Sequence, residues 1–373
     1  MQANAFYLET ILIGTMYKNL LNYLAFLLLF PSCSDVKPHI SIVCEENNIG
    51  NSIVKWETIP LIQGNVKVYA STNPNQFPDT NPIAVANIAD QRITLITADP
   101  SKRYYYKLVF NEKYPVKIAT RNINIPDIQN FRDLGGYPSY SHKKQIHWGK
   151  LYRSAEINEL KDFAYRELKD IGIKTIIDLR CPEELKNKKP LQPGFQVINI
   201  PLPVENLDQI LLGLQQQTVL SDTVYRIAEE GARTLIRNQS KEIRQVFDVL
   251  LQPENYPVVF HGSSGKGRVG ILSALILSAL DINDDLILED YRLSNKYFNI
   301  TQFSKFAFKL PAQSQEAVTT LLSSRENFLI VAKQECERLY GSVDNYLKKA
   351  IGLDKEDIKK LQGILLEKAE IFS

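Results

Sequence analysis

The alternation of apolar and polar positions changes character once along the chain, near residue 130. From about Pro38 to Ile125, β-branched and aromatic residues fall in short, partly alternating runs. These are Ile53-Val54-Lys55-Trp56, Asn65-Val66-Lys67-Val68-Tyr69 and Tyr104-Tyr105-Tyr106-Lys107-Leu108-Val109. Clusters such as Ser71-Thr72-Asn73-Pro74-Asn75 and Ala98-Asp99-Pro100-Ser101 separate them as turns separate strands. Beyond Asn130 the period lengthens. Leu160, Phe163, Ala164, Leu168 and Ile171 recur at helical spacing, and Lys174 to Leu179 then reads as a buried strand. Val197 to Leu202 predicts another strand. Val224, Ile227, Ala228 and Leu235 predict a helix, as do Ile243, Val246, Phe247 and Leu250. Pro257-Val258-Val259-Phe260 is a short apolar strand that runs into a Gly-rich loop, and Val269 to Leu280 is a strongly apolar helix; the remainder, from Asp284, reads as helical. Strands alternating with helices predict an α/β domain with a mainly parallel sheet, preceded by a small all-β sandwich.

The expected organisation is a leader over 1–37, a sandwich of fibronectin or immunoglobulin type over 38–125, and the α/β domain over 126–373. No chemistry-bearing cluster marks the sandwich, which reads as a spacer or docking module. In the leader, Lys18 precedes the apolar run Leu20–Phe30, and Pro31-Ser32-Cys33 follows. A basic residue, an apolar stretch too short to span a bilayer and a small residue before cysteine resemble a bacterial lipoprotein signal. This predicts export, lipidation of Cys33, and a membrane-anchored protein of the periplasm or cell surface.

A formal net charge of +2 gives no bulk electrostatic case for nucleic acid, so any anion site must be local. Of four cysteines, Cys44, Cys181 and Cys336 remain besides Cys33, without metal-ligand or paired spacing. No metal or cofactor is expected. His142 and His147 read as solvated surface.

The candidate chemistry lies in His261-Gly262-Ser263-Ser264-Gly265-Lys266-Gly267-Arg268-Val269-Gly270, between the apolar strand and the apolar helix. Glycines let a backbone curl until successive N–H groups face one point, which makes an anion nest, and the following helix adds its free N–H groups. Arg268 offers a planar fork for two phosphate oxygens, Lys266 a point charge, and Ser263 and Ser264 hydroxyl donors. The Gly-x4-Gly-Lys-Ser/Thr spacing of a nucleotide-binding loop is absent.

This loop resembles the His-Cys-x5-Arg signature of protein tyrosine phosphatases, in the bacterial form His-Cys-x-Ala-Gly-Lys-Asp-Arg-Thr-Gly. Asn130-Phe131-Arg132-Asp133-Leu134-Gly135-Gly136-Tyr137, Leu151-Tyr152-Arg153-Ser154 and Ile177-Asp178-Leu179-Arg180 with Glu183 are similar to three further blocks of that family. Asp290-Tyr291 to Ser294-Asn295 fits its helical region, and the resemblance spans about 122–365. It implies the cysteine-phosphatase fold, with Ser263 to Arg268 around a phosphoryl group and Arg132, Asp133, Arg180 and His261 as cleft candidates. It also exposes three departures. Gly262 stands where the nucleophilic cysteine belongs, Gly267 where an aspartate protonates the leaving group, and Val269 where a threonine bonds within the loop. A pseudophosphatase is therefore expected, one that holds a phosphorylated protein, a small phosphate or a phosphoinositide without cleaving it. Two alternatives stand beside it: a weak hydrolase that uses water or Ser263, and a surface lipoprotein that only docks a partner.

Overall fold

The computed structural model describes residues 37–369 apart from 48–49, 79, 98, 100–101, 204–209, 211, 215, 217 and 300–306. Residues 1–36 of the leader, Cys33 among them, lie outside the described residues. Among the described residues no helix is long and apolar enough to cross a membrane.

The first part of the chain forms two sheets. One has the strand order β1 (His39–Glu46), β2 (Ser52–Ile59), β5 (Arg92–Leu95); the other runs β4 (Ala84–Asn87), β3 (Asn65–Ser71), β6 (Tyr105–Phe110), β7 (Tyr114–Ala119). Period-two alternation sets the facing. Val54 and Trp56 are buried while Lys55 and Glu57 are exposed, and Val66, Val68, Leu108 and Phe110 close the other side. Trp56 meets Phe110 edge-on at 5.9 Å, and its indole N–H donates to the Ile88 carbonyl at 2.8 Å.

The second part is α/β. Its strands are β8 (Arg132–Asp133), β9 (Pro138–Ser139), β10 (Lys144–Ile146), β11 (Leu151–Ser154), β12 (Thr175–Asp178), β13 (Gln196–Asn199), β14 (Val258–His261) and β15 (Leu366–Lys368). Its helices are α1 (Asp162–Asp170), α2 (Pro182–Leu185), α3 (Ser221–Asn238), α4 (Ser240–Leu250), α5 (Gly267–Ala279), α6 (Asp284–Tyr297), α7 (Ala312–Leu322), α8 (Glu326–Tyr340), α9 (Val343–Lys349) and α10 (Lys355–Leu365). The main sheet runs β13-β12-β14-β11-β8; its first four strands are parallel and β8 is antiparallel to β11.

Alternate residues of the central strands serve opposite faces. Ile177, Val258 and Phe260 pack with α3, α4 and α5, whereas Ile176 and Val259 pack with Ala164 and Leu168 of α1. With both faces covered, β12 and β14 are buried at every position, in keeping with their apolar centres Ile176-Ile177 and Val258-Val259-Phe260. Burial of α5 on nearly all sides follows from the same enclosure. Its N-terminus and the end of β14 meet at the edge where the Gly-rich loop lies. Residues 41–57 and 63–373, which carry most of the sheet module and all of the described α/β body, fall within one compact unit. The chain passes between them at Arg121–Ile123, where Asn122 bridges to Arg132 and the Ile123 amide donates to the Phe131 carbonyl at 3.0 Å.

Candidate functional site: the loop between β14 and α5

The loop's shape is set from outside, through its carbonyls. The Ser264 and Gly265 carbonyls accept from Asn130 Nδ2 at 3.2 and 3.0 Å, and Gly265 O also accepts from Arg153 Nη2 at 2.7 Å. The Ser263 carbonyl faces the Glu156 amide at 3.4 Å. Because C=O and N–H point oppositely across a trans peptide, holding these carbonyls against the body turns the amides of residues 264–266 the other way. Among the described residues, none of the six amides from Ser263 to Arg268 has a hydrogen-bond acceptor. Only glycine fits at 265, where φ is +67° and a β-carbon would stand 2.4 Å from the Ser154 carbonyl oxygen.

Arg268 turns inward and is buried. Its Nε lies 3.0 Å, and its Nη2 3.7 Å, from where a β-carbon on Gly262 would project. The opposite edge of the guanidinium is clasped by Glu184 on α2: Nη1 donates to Oε2 at 2.8 Å and Nη2 to Oε1, while Nη1 also reaches the Leu202 carbonyl at 2.8 Å. Burial alone would raise the Glu184 carboxyl; Arg268 and the Ser263 hydroxyl together hold it below the usual range. This leaves the Nε–Nη2 edge facing the curl of amides.

Sequence reasoning matched Glu183 to the family block and missed Glu184. The signal was present in the helix start Cys181-Pro182-Glu183-Glu184, whose third helical residue reaches back to the Cys181 amide at 3.0 Å. Cys181 is the residue just before this helix. Burial pushes its thiol up, against the pull of neighbouring Arg268.

Two expected ligand donors point elsewhere. The Lys266 ammonium donates to the Leu322 carbonyl and lies 4.5 Å from the Phe298 ring, and burial pushes it down to about 7. An amine on a four-carbon stem reaches a buried carbonyl more readily than it stays in a tight curl beside Arg268. The Ser263 hydroxyl donates to Glu184 Oε1, and Arg268 Nη2 stands 3.2 Å from its oxygen. The Ser263 hydroxyl is thereby engaged by protein groups, and what the segment from Ser263 to Arg268 leaves without acceptors among the described residues is its backbone amides.

The expected cleft residues are structural in their contacts. Arg132 is fully buried beneath the loop. It donates to Asn130 Oδ1, to Asp290 Oδ1 at 3.0 Å and to Ser294 Oγ at 3.0 Å. Asp133, also fully buried, does not pair with it. Its carboxylate accepts from the Gly135 and Gly149 amides at 2.7 and 2.8 Å and meets Arg103 Nη2 at 2.8 Å. Arg180 folds back on Asp178, with Nε at 2.9 Å and Nη2 at 2.7 Å, and donates to Asn158 Oδ1 at 2.7 Å. His261 is buried, its Nδ1 accepts from the Ile157 amide at 3.3 Å, and burial pushes it down to about 4, so the ring is neutral. His147 is not solvated surface: its side chain is 15% exposed and lies 3.6 Å from Glu367.

A cleft of about 190 Å³ opens over the loop, walled by Ile227, Ala232, Leu235 and Phe328. A larger cavity, about 950 Å³, lies at the junction with the sheet module and contains none of the loop residues. Chemically, the loop has six amides without acceptors among the described residues and one guanidinium edge beside Gly262, which carries no side chain. Gly267 is exposed, and a β-carbon there would meet nothing within 4 Å.

The chain is similar to known phosphatases. A family profile described as the tyrosine phosphatase family matches residues 123–367. Triple specificity protein phosphatase PtpB of Mycobacterium tuberculosis is 25% identical over 278 residues, which cover 65% of this chain and 98% of that protein. A putative tyrosine-protein phosphatase of Cupriavidus necator is 26% identical over 241 residues, covering 62% of this chain and 85% of that protein. Among solved structures, TpbA of P. aeruginosa is 16% identical, with 50% of this chain and 95% of that chain covered and a TM-score of 0.24.

Proposed function

Because the chain belongs to the tyrosine phosphatase family, we propose that it binds phosphoryl groups in the loop from His261 to Gly270 and does not hydrolyse them through a phosphocysteine. One observation carries this reading: among the described residues six successive amides of the loop have no acceptor, and the inward edge of Arg268 stands beside Gly262, which supplies no nucleophile. A thiolate at that position would repel a phosphate dianion, and its absence favours binding while removing the attacking atom. Fixed N–H donors serve the ground-state oxyanion as they would serve a transition state. What is missing is a group that acts only in the transition state.

The weak-hydrolase alternative rests on the Ser263 hydroxyl, which has a carboxylate acceptor in Glu184. That carboxylate is held ionised by Arg268 and is a poor base for it. Titration calorimetry with phosphotyrosine and with orthophosphate tests the binding. Arg268→Ala is expected to weaken it at least ~10-fold, on the order of one charge-assisted bidentate contact. No heat at millimolar ligand would sink the proposal. Hydrolysis of para-nitrophenyl phosphate that disappears in Ser263→Ala would establish the alternative instead.

A further inference from the structure

The sheet module bears on the loop through a buried ion pair. Arg103 stands just before β6, and its side chain is only 7% exposed. Nη2 lies 2.8 Å from Asp133 Oδ2 and donates to the Thr120 carbonyl at 3.2 Å; Nη1 reaches Tyr152 Oη at 3.4 Å. The guanidinium lies over the Tyr105 ring at 4.8 Å and the Tyr152 ring at 5.6 Å. Asp133 is fully buried and meets no other cation at its carboxylate among the described residues.

The segment that Asp133 centres is the one that shapes the loop. Asn130, whose side chain holds the Ser264 and Gly265 carbonyls, has φ +55°, the left-handed conformation that asparagine tolerates. Its Oδ1 is held by Arg132, which neighbours Asp133 on β8. Across the sheet, Tyr152 and Arg153 register with Asp133 and Arg132, and Arg153 also holds Gly265 O. On the module's side, Arg121 Nη1 donates to the Asp133 and Gly135 carbonyls at 2.8 Å each, and the Asp133 amide donates back to Arg121 O.

We propose that Arg103 is a positioning residue for the phosphate loop: by neutralising Asp133 it fixes the strand from Asn130 to Gly136, and through Asn130 it sets the direction of the loop amides. This rests on the reading that the loop binds a phosphoryl group. An uncompensated buried carboxylate draws water or moves, and the nearest freedom available to it is the two-residue strand β8. The module is then part of the site's architecture and not a passive spacer.

The test compares Arg103→Gln, Arg103→Lys and Lys117→Gln in the full chain. Lys117 pairs with Glu367 at 2.8 Å, so its loss weakens the same junction without touching the Asn130–Gly136 strand. The readouts are orthophosphate affinity, the backbone amide resonances of Gly265 and Gly267, and the melting temperature. Arg103→Gln is expected to displace the Gly265 resonance and weaken orthophosphate about tenfold, in keeping with the usual size of coupling between sites. Arg103→Lys keeps the charge but not the fork and should give the same changes at smaller size, which supplies the comparison if the glutamine variant is recovered unfolded. Lys117→Gln should lower the melting temperature and leave affinity and resonances alone. Equal loss of affinity in Arg103 and Lys117 variants, or an unmoved Gly265 resonance in both Arg103 variants, overturns the proposal. If the parent chain binds no orthophosphate, it is the phosphate reading that fails, and the resonances still decide the positioning role.

Discussion

At Gly262 the question is whether the chain could still accept the atom it lacks. A β-carbon there would stand 3.0 Å from Arg268 Nε and 3.3 Å from Val269 Cγ2, so a cysteine fits after shifts of a few tenths of an ångström, whereas an aspartate at 267 would enter open space. Gly262→Cys combined with Gly267→Asp is accordingly expected to hydrolyse para-nitrophenyl phosphate at least ~10²-fold faster than the parent chain. A folded, phosphate-binding double variant at parental rate would count against an otherwise intact cleft. Next to it, His261 makes a pH prediction. The folded ring stays neutral down to about pH 4, while an unfolded imidazole takes a proton below about 6.5. Between those values the unfolded chain binds the extra proton, so stability is complete above pH 6.5 and falls as the pH drops toward 4, by up to ~3 kcal/mol. Urea unfolding between pH 7 and 4 should show this slope, and His261→Gln should flatten it. Residue types in the loop were legible from the sequence, but directions were not. Lys266 and Ser263 carry donors that a linear reading assigns to the ligand, and each finds a protein acceptor from a distant segment, Leu322 and Glu184.

At the scale of elements, α6 ties β8 and β11 together beneath the loop. Asp290 accepts from Arg132 at 3.0 Å and from Arg153 at 2.6 Å, and Ser294, one turn on, receives Arg132 as well. Burial would raise the Asp290 carboxyl; the two guanidiniums override it and hold it far below the usual carboxylate range. Asp290→Asn leaves two buried cations without their counter-charge, and the expected cost is about 3–5 kcal/mol. Denaturant titration of the variant measures it; a loss under 1 kcal/mol would mean that Ser294 and backbone carbonyls suffice. Period-two and helical spacing placed these strands and helices in the sequence, because each pattern reports the face its own element buries. The Arg132–Asp290 partnership spans 158 positions, and no local pattern encodes it. Arg132 therefore reads from the sequence only as a cleft candidate.

For the whole molecule, the junction between sheet module and α/β body is built rather than incidental. The Trp148 indole packs with Tyr105 and Ala119 of the module in one apolar cluster. It also lies against Gly135 and Gly136, where β-carbons would stand 2.5 and 2.2 Å from Trp148 atoms. Arg121 stacks over Tyr137 at 3.7 Å, and Lys117 pairs with Glu367 at 2.8 Å. A junction that buries aromatic surface and the Arg103–Asp133 ion pair is expected to couple the two parts, so calorimetry of the full chain should show one unfolding transition and not two. Two well-separated peaks would place the module outside the cooperative unit. This coupling was not legible in the sequence, where the module showed no chemistry and read as a spacer. Arg103 lies 30 positions from Asp133, and its partner is defined only once the chain has turned back on itself.

The linear order of residues settled the class of fold, the position of the Gly-rich loop between a strand and a helix, and the presence of a glycine at 262. Each of these depends on local spacing or on the identity of one residue, which folding does not alter. The tertiary structure alone decided which loop donors find protein acceptors, that Glu184 holds the outer edge of Arg268, and that Arg103 of the sheet module meets Asp133 beside the segment that holds the loop. Those outcomes depend on which polar groups, once buried, find partners. A buried charge is satisfied by whatever the fold brings to within 3 Å, not by its neighbours in the chain.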